Sequence, residues 1–445
     1  MTNAIASAAR VVDSDRGSTL TAMASAAAGE HSASGTAIVR EPGRPSVRLL
    51  VFTSLYPNSE QPRHGIFVEE RLRHLIATGK VSATVVAPVP WFPFRSRRFG
   101  AYAAFARVPD REERHGIQVL HPRYPVIPKV GMNVAARLMM RAALPTAREM
   151  ASTNEFDLID AHYFYPDGVA AGQLGVALRK PVVITARGSD VNVIAGHGSP
   201  RRQICWAAGR AAAIIAVSEA LQRKIAALGV SPRKLMTLRN GVDLDRFRPT
   251  DRTAIRTHLG LVGPVWLAVG NLVELKGVHL TLAALAETTD VTLLIAGDGP
   301  EAARLRQLAC ALGIDARVRF LGNVAHAQLH EYYNAADALF LASSHEGMPN
   351  VVLESLACGT PAVAAPFAGA AELISAPEAG EIAEARTADG ILAAWHELLS
   401  RKPNRTATRR FAENFGWGPV VEAQYTLYAK VLAAYESAHR TGKAT

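Results

Sequence analysis

The chain has 445 residues, with 49 Lys and Arg against 39 Asp and Glu, a net charge of +10 and 49% hydrophobic residues. With 20% of residues charged and ample apolar surface to bury, it reads as a soluble protein of two or three domains and excludes a collagenous, coiled-coil or wholly disordered chain. No stretch reaches the roughly 18 to 20 apolar residues of a membrane-crossing helix. Cys205, Cys310 and Cys358 are too far apart for a CxxC pair or a disulfide framework, which points to a reducing, cytosolic compartment.

Met1 to about Arg44 is rich in Ala, Ser, Gly and Thr and is broken by Asp13, Asp15 and Arg16 before a hydrophobic signal core can form, so residues 1–46 read as a disordered tail. From Val47 onward, short apolar runs alternate with helical patterns. The first block offers strands VRLLVF (47–52), ATVVAP (83–88), FDLIDA (156–161), PVVITA (181–186), AAIIAV (212–217) and KLMTLR (234–239). Val68, Leu72, Leu75 and Ile76 place an apolar stripe on one helix face. The second block offers VWLAVG (265–270), VTLLIAG (291–297), RVRFLG (317–322), ALFLAS (338–343) and TPAVAA (360–365), after the turn-rich NGVDLDRFRP. Continuous apolar strands separated by helices imply parallel sheets covered on both faces, hence two doubly wound α/β domains, 47–248 and 249–415, with a closing helix over 416–445.

Charge is uneven, net +14 up to Thr250 and −4 beyond it. A basic half suits an anionic partner, nucleic acid or an anionic membrane surface, and equally a set of solvated faces. Between Pro88 and Pro109, Trp91, Phe92, Phe94, Phe99, Tyr102 and Phe105 alternate with Arg95, Arg97, Arg98 and Arg107. That mixture suits a bilayer interface, or a loop whose aromatics are buried against the domain.

Ligands of doubly wound sheets bind beyond the carboxyl ends of the strands. Gly297-Asp298-Gly299-Pro300-Glu301-Ala302 matches a dinucleotide fingerprint in form, but the acidic residue about 20 positions on is missing, which leaves a tight turn. No P-loop or nucleophile elbow occurs, and His326 and His330 lack a third zinc ligand, so they read as surface histidines. The informative segment runs from Ser343 to Glu354. A helix starting near Pro349 or Asn350 and ending by Gly359 would leave the N–H groups around Gly347, Met348, Pro349, Asn350 and Val351 as an anion site, with Glu354 one turn further to hold a ribose. Glu346, in the preceding loop, would face whatever lies at the other end of a diphosphate.

The Glu346…Glu354 spacing, together with VGNLVELKGVHL (269–280), LIAGDGPEAARL (294–305), RFLGNV (319–324), YYNAADALFLASSHEG (332–347) and RNGVDLDRF (239–247), resembles family 4 of the retaining glycosyltransferases, of GT-B fold. The resemblance implies two Rossmann-like domains facing a cleft, with a nucleotide-sugar donor on the second and a glycan or polyprenyl-diphosphate-linked acceptor on the first. By that resemblance Lys276 neutralises the donor diphosphate, Glu354 holds the ribose and Glu346 contacts the sugar, while the 347–351 amides cradle phosphate. No metal or cofactor is implied, and Asp243-Leu244-Asp245 reads as a structural turn. Two departures stand out: Asn271 takes the place of the family's diphosphate arginine, and Arg187 that of a first-domain histidine. Arg187 is therefore expected to restore the missing cation across the cleft. His162 is expected to handle a proton on the acceptor side, where Arg63, His64 and Gly65 would meet a lipid-linked diphosphate.

The expected function is transfer of a sugar in exopolysaccharide or cell-surface polysaccharide assembly, in the cytoplasm or peripherally on the inner membrane's cytosolic face, with no nucleic acid bound. The rival readings are a nucleotide-sugar epimerase or phosphorylase of the same fold, a dinucleotide oxidoreductase, and a non-enzymatic binder of anions or lipid surfaces.

Overall fold

The computed structural model describes residues 46–441 apart from 97, 99, 127–130 and 402–403. The tail expected over 1–46, but for Ser46, and Arg97 and Phe99 of the aromatic segment lie outside the described residues.

Two largely parallel sheets form. The first contains β1 (Val47–Phe52), β2 (Val81–Val86), β3 (Arg111–Arg114), β4 (Ile117–Leu120), β5 (Leu158–His162), β6 (Val182–Ala186), β7 (Ala213–Ala216) and β8 (Leu235–Thr237). Their spatial order is β8-β7-β6-β5-β1-β2-β4-β3. The second contains β9 (Val265–Val269), β10 (Thr292–Ala296), β11 (Val318–Gly322), β12 (Ala338–Leu341), β13 (Ala362–Ala364) and β14 (Gly380–Ile382), ordered β11-β10-β9-β12-β13-β14. The strands read from the sequence all occur, within two residues at either end. The β3–β4 hairpin and β14 were not legible. The hairpin's outer strand, Arg-Glu-Glu-Arg, has no apolar alternation, and its charges protect a sheet edge from further pairing.

Three helices frame the site: α1 (Ile66–Ala77) after β1, α2 (Asn350–Ala357) between β12 and β13, and α3 (Trp417–Thr441) at the end of the described chain. One face of the first sheet packs Val47, Leu49 and Val51 under Leu72 and Leu75 of α1 and Val420, Val421 and Tyr428 of α3. The closing helix is further tied down by Trp417 stacked on His74 at 5.1 Å and by Arg71 Nε donating to Gln424 at 2.6 Å. In the second domain, Trp266 stacks on Phe340 at 4.0 Å with Trp395 edge-on at 5.6 Å, which fills the outer face of that sheet. The remaining large apolar cluster runs through both domains, from Leu50 and Ile159 to Leu267 and Leu339.

Strand order reverses between β1 and β5 in the first sheet and between β9 and β12 in the second. At such a point neighbouring strands send their following segments to opposite faces, which opens a crevice at their carboxyl ends. The loops after β1 and β5 therefore carry the first domain's exposed chemistry, and those after β9 and β12 the second's.

The two domains also share a helix cap. Glu372, in the second, accepts from the backbone N–H groups of Glu219 and Ala220 at 3.0 and 2.9 Å, the first turn of a first-domain helix, and from Arg239 at 3.1 Å. A carboxylate at a helix N-terminus satisfies orphan donors and the helix dipole together. Glu372→Ala is expected to cost about 1 kcal/mol and to lower the melting temperature by about 2–4 °C in calorimetry.

Candidate active site

On the second domain, the switch point brings Lys276, from the loop after β9, against Glu346, from the loop after β12, with Lys276 Nζ donating to Glu346 Oε1 at 2.6 Å. An ammonium carries three protons, so this bond leaves two for an incoming phosphate. Gly270 and Asn271 line a small pocket beside Lys276. The Gly297-Asp298-Gly299 turn rests on the same loop. Leu272 N donates to Asp298 O at 2.9 Å, and a Cβ at Gly297, where φ is 152°, would lie 1.8 Å from Gly270 O.

α2 starts at Asn350 with Pro349 as its cap and stops short of Gly359. In its first turn Val352 N–H donates to the Pro349 carbonyl at 3.1 Å, while the amides of Asn350 and Val351 have no acceptor inside the helix. Gly347, just before it, lies against the first domain, and a Cβ there would stand 1.7 Å from the carbonyl oxygen of Arg187. Asn240, in the segment joining the domains, holds the same helix end: its N–H reaches Met348 sulfur at 3.3 Å and its Nδ2 donates to Asn350 Oδ1 at 2.8 Å.

Glu354 lies one turn into α2, buried at 7% exposure. His326 Nε2 meets its Oε1 at 2.9 Å, and Tyr333 OH donates to its Oε2 at 2.7 Å. Each carboxylate oxygen keeps a second lone pair for a ligand hydroxyl. Arg246 Nη1 lies 3.3 Å from His326 Nδ1 and 3.0 Å from Glu70 Oε1. A guanidinium only donates, so His326 Nδ1 accepts and Nε2 carries the proton given to Glu354. Burial pulls the His326 pKa down, but the hydrogen bond and charge of Glu354 outweigh it and hold the imidazole above its ordinary value. His326 is thus no idle surface histidine, as the sequence had implied, and it shares no site with His330, whose Nδ1 is bonded to Ala327 O. Neither His326 nor Tyr333 could be found by motif, because they reach Glu354 from 28 and 21 residues away.

Asp243 Oδ1 accepts from the N–H groups of Asp245 and Arg246, an ordinary turn. Among the described residues, Glu70, His74 and Asp243 form one group of metal-ligand type, and the Arg246 guanidinium already lies 3.0 Å from Glu70 and 3.7 Å from Asp243.

On the first domain, the expectations for His162, Arg187, Arg63 and Gly65 need correction. His162 is 2% exposed, with Nε2 3.0 Å from Asp160 Oδ2 and Nδ1 receiving Arg187 Nη2 at 2.7 Å. Both nitrogens are engaged, and burial lowers its pKa, so it is not placed to take a proton from an acceptor. Arg187 commits its other terminal nitrogen to Asn240 at 3.0 Å and sits over the Phe67 ring at 5.1 Å. Burial, then neighbouring Arg71, pulls its pKa down to about 9. It braces the joining segment rather than presenting a second cation to a diphosphate. Its backbone, not its charge, touches the donor loop.

Arg63 donates to Asn323 Oδ1 of the second domain at 2.9 Å, an inter-domain contact instead of an open phosphate site. Gly65 precedes α1 with φ 71°, and a Cβ there would meet Leu55 O at 2.2 Å, so its role is to turn the chain. His64 Nε2 lies 3.0 Å from Ser54 O and lines a cavity.

Residues 103–246 match the protein family described as Glycosyltransferase Family 4, and residues 252–415 that described as Glycosyl transferases group 1. A Bacillus subtilis protein named as the teichuronic acid biosynthesis glycosyltransferase TuaC is 32% identical over 335 residues, 74% of this chain and 83% of TuaC. The chain belongs to glycosyltransferase family 4. Solved GT-B structures share its fold. Sucrose-phosphate synthase of Thermosynechococcus elongatus superposes with a TM-score of 0.72 at 20% identity, over 88% of this chain and 100% of that one. Anabaena HepE in complex with UDP-glucose gives 0.66 at 20% identity, over 87% and 99%. The glycosyltransferase therefore has the fold its alternating strands implied, and its family membership sets aside the oxidoreductase and non-enzymatic readings.

His326→Ala should raise the donor KM of this glycosyltransferase about tenfold, equivalent to ~1.4 kcal/mol, while kcat stays within about twofold. His326→Gln, whose amide can still donate to Glu354, should recover most of the loss. Steady-state kinetics with varied donor check both.

Proposed function

We propose that this glycosyltransferase moves a hexose, with retention of configuration, from a nucleotide-diphosphate sugar to a glycan or polyprenyl-diphosphate-linked acceptor, in exopolysaccharide or cell-surface polysaccharide assembly. The observation that carries the reading is the row formed by Lys276, Glu346, the head of α2 and Glu354 along one crevice. In it Glu354 takes the ribose hydroxyls, and Lys276 with the N–H groups of Gly347, Met348, Asn350 and Val351 takes the diphosphate, with Pro349 opening the helix and Asn271 beside them. Glu346, already bonded to Lys276, faces the sugar.

When the bond between the anomeric carbon and the diphosphate breaks, negative charge grows on the leaving phosphate. Fixed amides and an ammonium lower the energy of that state more than the ground state, and they need no reorganisation. In this reading protein groups do the neutralising, and no metal or cofactor takes part. Attack comes from the face the diphosphate leaves, and the departing phosphate oxygen receives the acceptor proton. His162, enclosed between Asp160 and Arg187, takes no part in that transfer.

The named roles of relatives support this reading: TuaC is named for teichuronic acid biosynthesis, and the HepE structure holds UDP-glucose. We place the enzyme in the cytoplasm, in peripheral contact with an anionic membrane. Trp91, Phe94 and Tyr102 are 56%, 53% and 59% exposed near the basic segment, and rings so placed suit headgroup depth. Among the described residues, no helix is long and apolar enough to cross a membrane.

The test is turnover of UDP-glucose, UDP-galactose and their N-acetyl counterparts with methyl glycosides as acceptors, the product anomer being read by NMR. An α-linked product from an α-linked donor, unchanged within twofold by EDTA, is expected. A β-linked product would overturn retention, and a large loss restored by magnesium would overturn metal independence.

A further inference from the structure

A cavity of about 200 Å³ opens on the first domain beyond the ends of β1 and β2. One wall is apolar, built by Val89, Pro90 and Phe105. Among the described residues, no Lys, Arg, Asp or Glu lines it, although the half-chain around it is strongly basic.

Three polar side chains at this cavity are left with unspent hydrogen-bonding capacity. The Tyr56 hydroxyl is buried, its residue 1% exposed, and has no hydrogen-bond partner among the described residues. Leaving a hydroxyl so costs free energy unless a ligand or water completes it. Asn58 uses its Oδ1 to accept from the N–H groups of Glu60 and Gln61, at 3.1 and 2.9 Å, which leaves the amide NH2 as a donor. His64 Nε2 faces the Ser54 carbonyl, which can only accept. The proton therefore sits on Nε2, and Nδ1 keeps a lone pair. His64 is exposed at the cavity's edge, and partial desolvation by its neighbours lowers its pKa and favours this neutral form. By contrast, both nitrogens of His121 are engaged, with Ala87 O at 3.0 Å and Glu112 at 2.8 Å, so that residue is wall rather than handle.

An anion entering such a place would lose its hydration with no cation to replace it. A polyol ring finds an apolar surface for its C–H face and both donors and acceptors for its hydroxyls. We infer that this cavity is a subsite for an uncharged sugar ring of the acceptor, recognised by Tyr56, Asn58 and His64. The inference rests on the glycosyltransferase reading and narrows it: the ring that enters bears no phosphate or carboxylate. A lipid diphosphate, where the acceptor carries one, lies outside the cavity.

The test is binding by the full chain of neutral methyl glycosides (glucoside, galactoside, N-acetylglucosaminide) and of glucose 6-phosphate and glucuronic acid, followed by saturation-transfer NMR, with UDP affinity measured in parallel. At least one neutral glycoside should bind better than both charged sugars. Asn58→Ala and His64→Ala should weaken it about tenfold, with UDP affinity held within twofold. Tyr56→Phe should do the same while melting no lower than the parent, because the lost hydroxyl has no partner in the protein, a pattern a purely structural tyrosine would not give. Tighter binding of the charged sugars would overturn the inference. So would neutral binding indifferent to all three variants, or no glycoside binding in a protein that binds UDP. Failure to bind UDP would instead overturn the donor reading.

Discussion

The two domains of this protein meet at a point where there is no room for a side chain. Gly347 lies so close to the Arg187 carbonyl that a Cβ would stand 1.7 Å from it, and Gly188 presses back on the Gly347 backbone. That contact fixes where the donor loop runs, and so where Glu346 and the head of α2 are presented. Asn240 holds the same helix end from the joining segment. The row proposed to bind the donor is therefore a property of both domains, although every charged group in it belongs to the second.

Behind that contact lies a buried polar chain. Asp160, His162, Arg187 and Asn240 are each within 3.0 Å of the next, in the order Asp160–His162–Arg187–Asn240, and the last reaches Asn350 at 2.8 Å. Buried charges persist only when paired and hydrogen-bonded, and here the pairing fixes the direction of the joining segment. A second chain, Glu70–Arg246–His326–Glu354, does the same for Glu354, the carboxylate proposed to hold the ribose. Residues that had seemed suited to chemistry, His162 and Arg187, act as supports, and one that had seemed idle, His326, orients a binding group. Arg187 does not restore the cation missing at Asn271, so in the proposed donor site Lys276 and the helix amides carry the diphosphate charge.

The sheets were legible because their central strands, such as Val182–Ala186 and Ala338–Leu341, are buried on both faces and read as continuous apolar runs, bounded by turn residues that set their ends within two positions. The α2 head was legible for a similar reason: Pro349 and Gly359 bracket it, and helix geometry alone then places Glu354 one turn past the anion site. His326, Tyr333 and Asn240 were not legible, since their contacts join segments tens of residues apart and no local period encodes them. Arg187 misled because its residue type fits a phosphate, whereas its partners are set by β5 and by the joining segment. The cavity proposed for an acceptor sugar was only half visible through His64. Tyr56 and Asn58 carry no motif, and their significance lies in hydrogen-bonding capacity left unspent, which only packing reveals.

The central claim is that Lys276, the first-turn amides of α2 and Glu354 read a nucleoside diphosphate as a unit. Calorimetric titration of UDP and UMP into the protein and into Glu354→Ala tests it most directly. UDP is expected to bind at least about tenfold more tightly than UMP, a difference of ~1.4 kcal/mol for the second phosphate, and the variant to weaken both nucleotides by a similar factor. Equal affinity for UDP and UMP, or a variant that binds both as the parent does, would contradict the account.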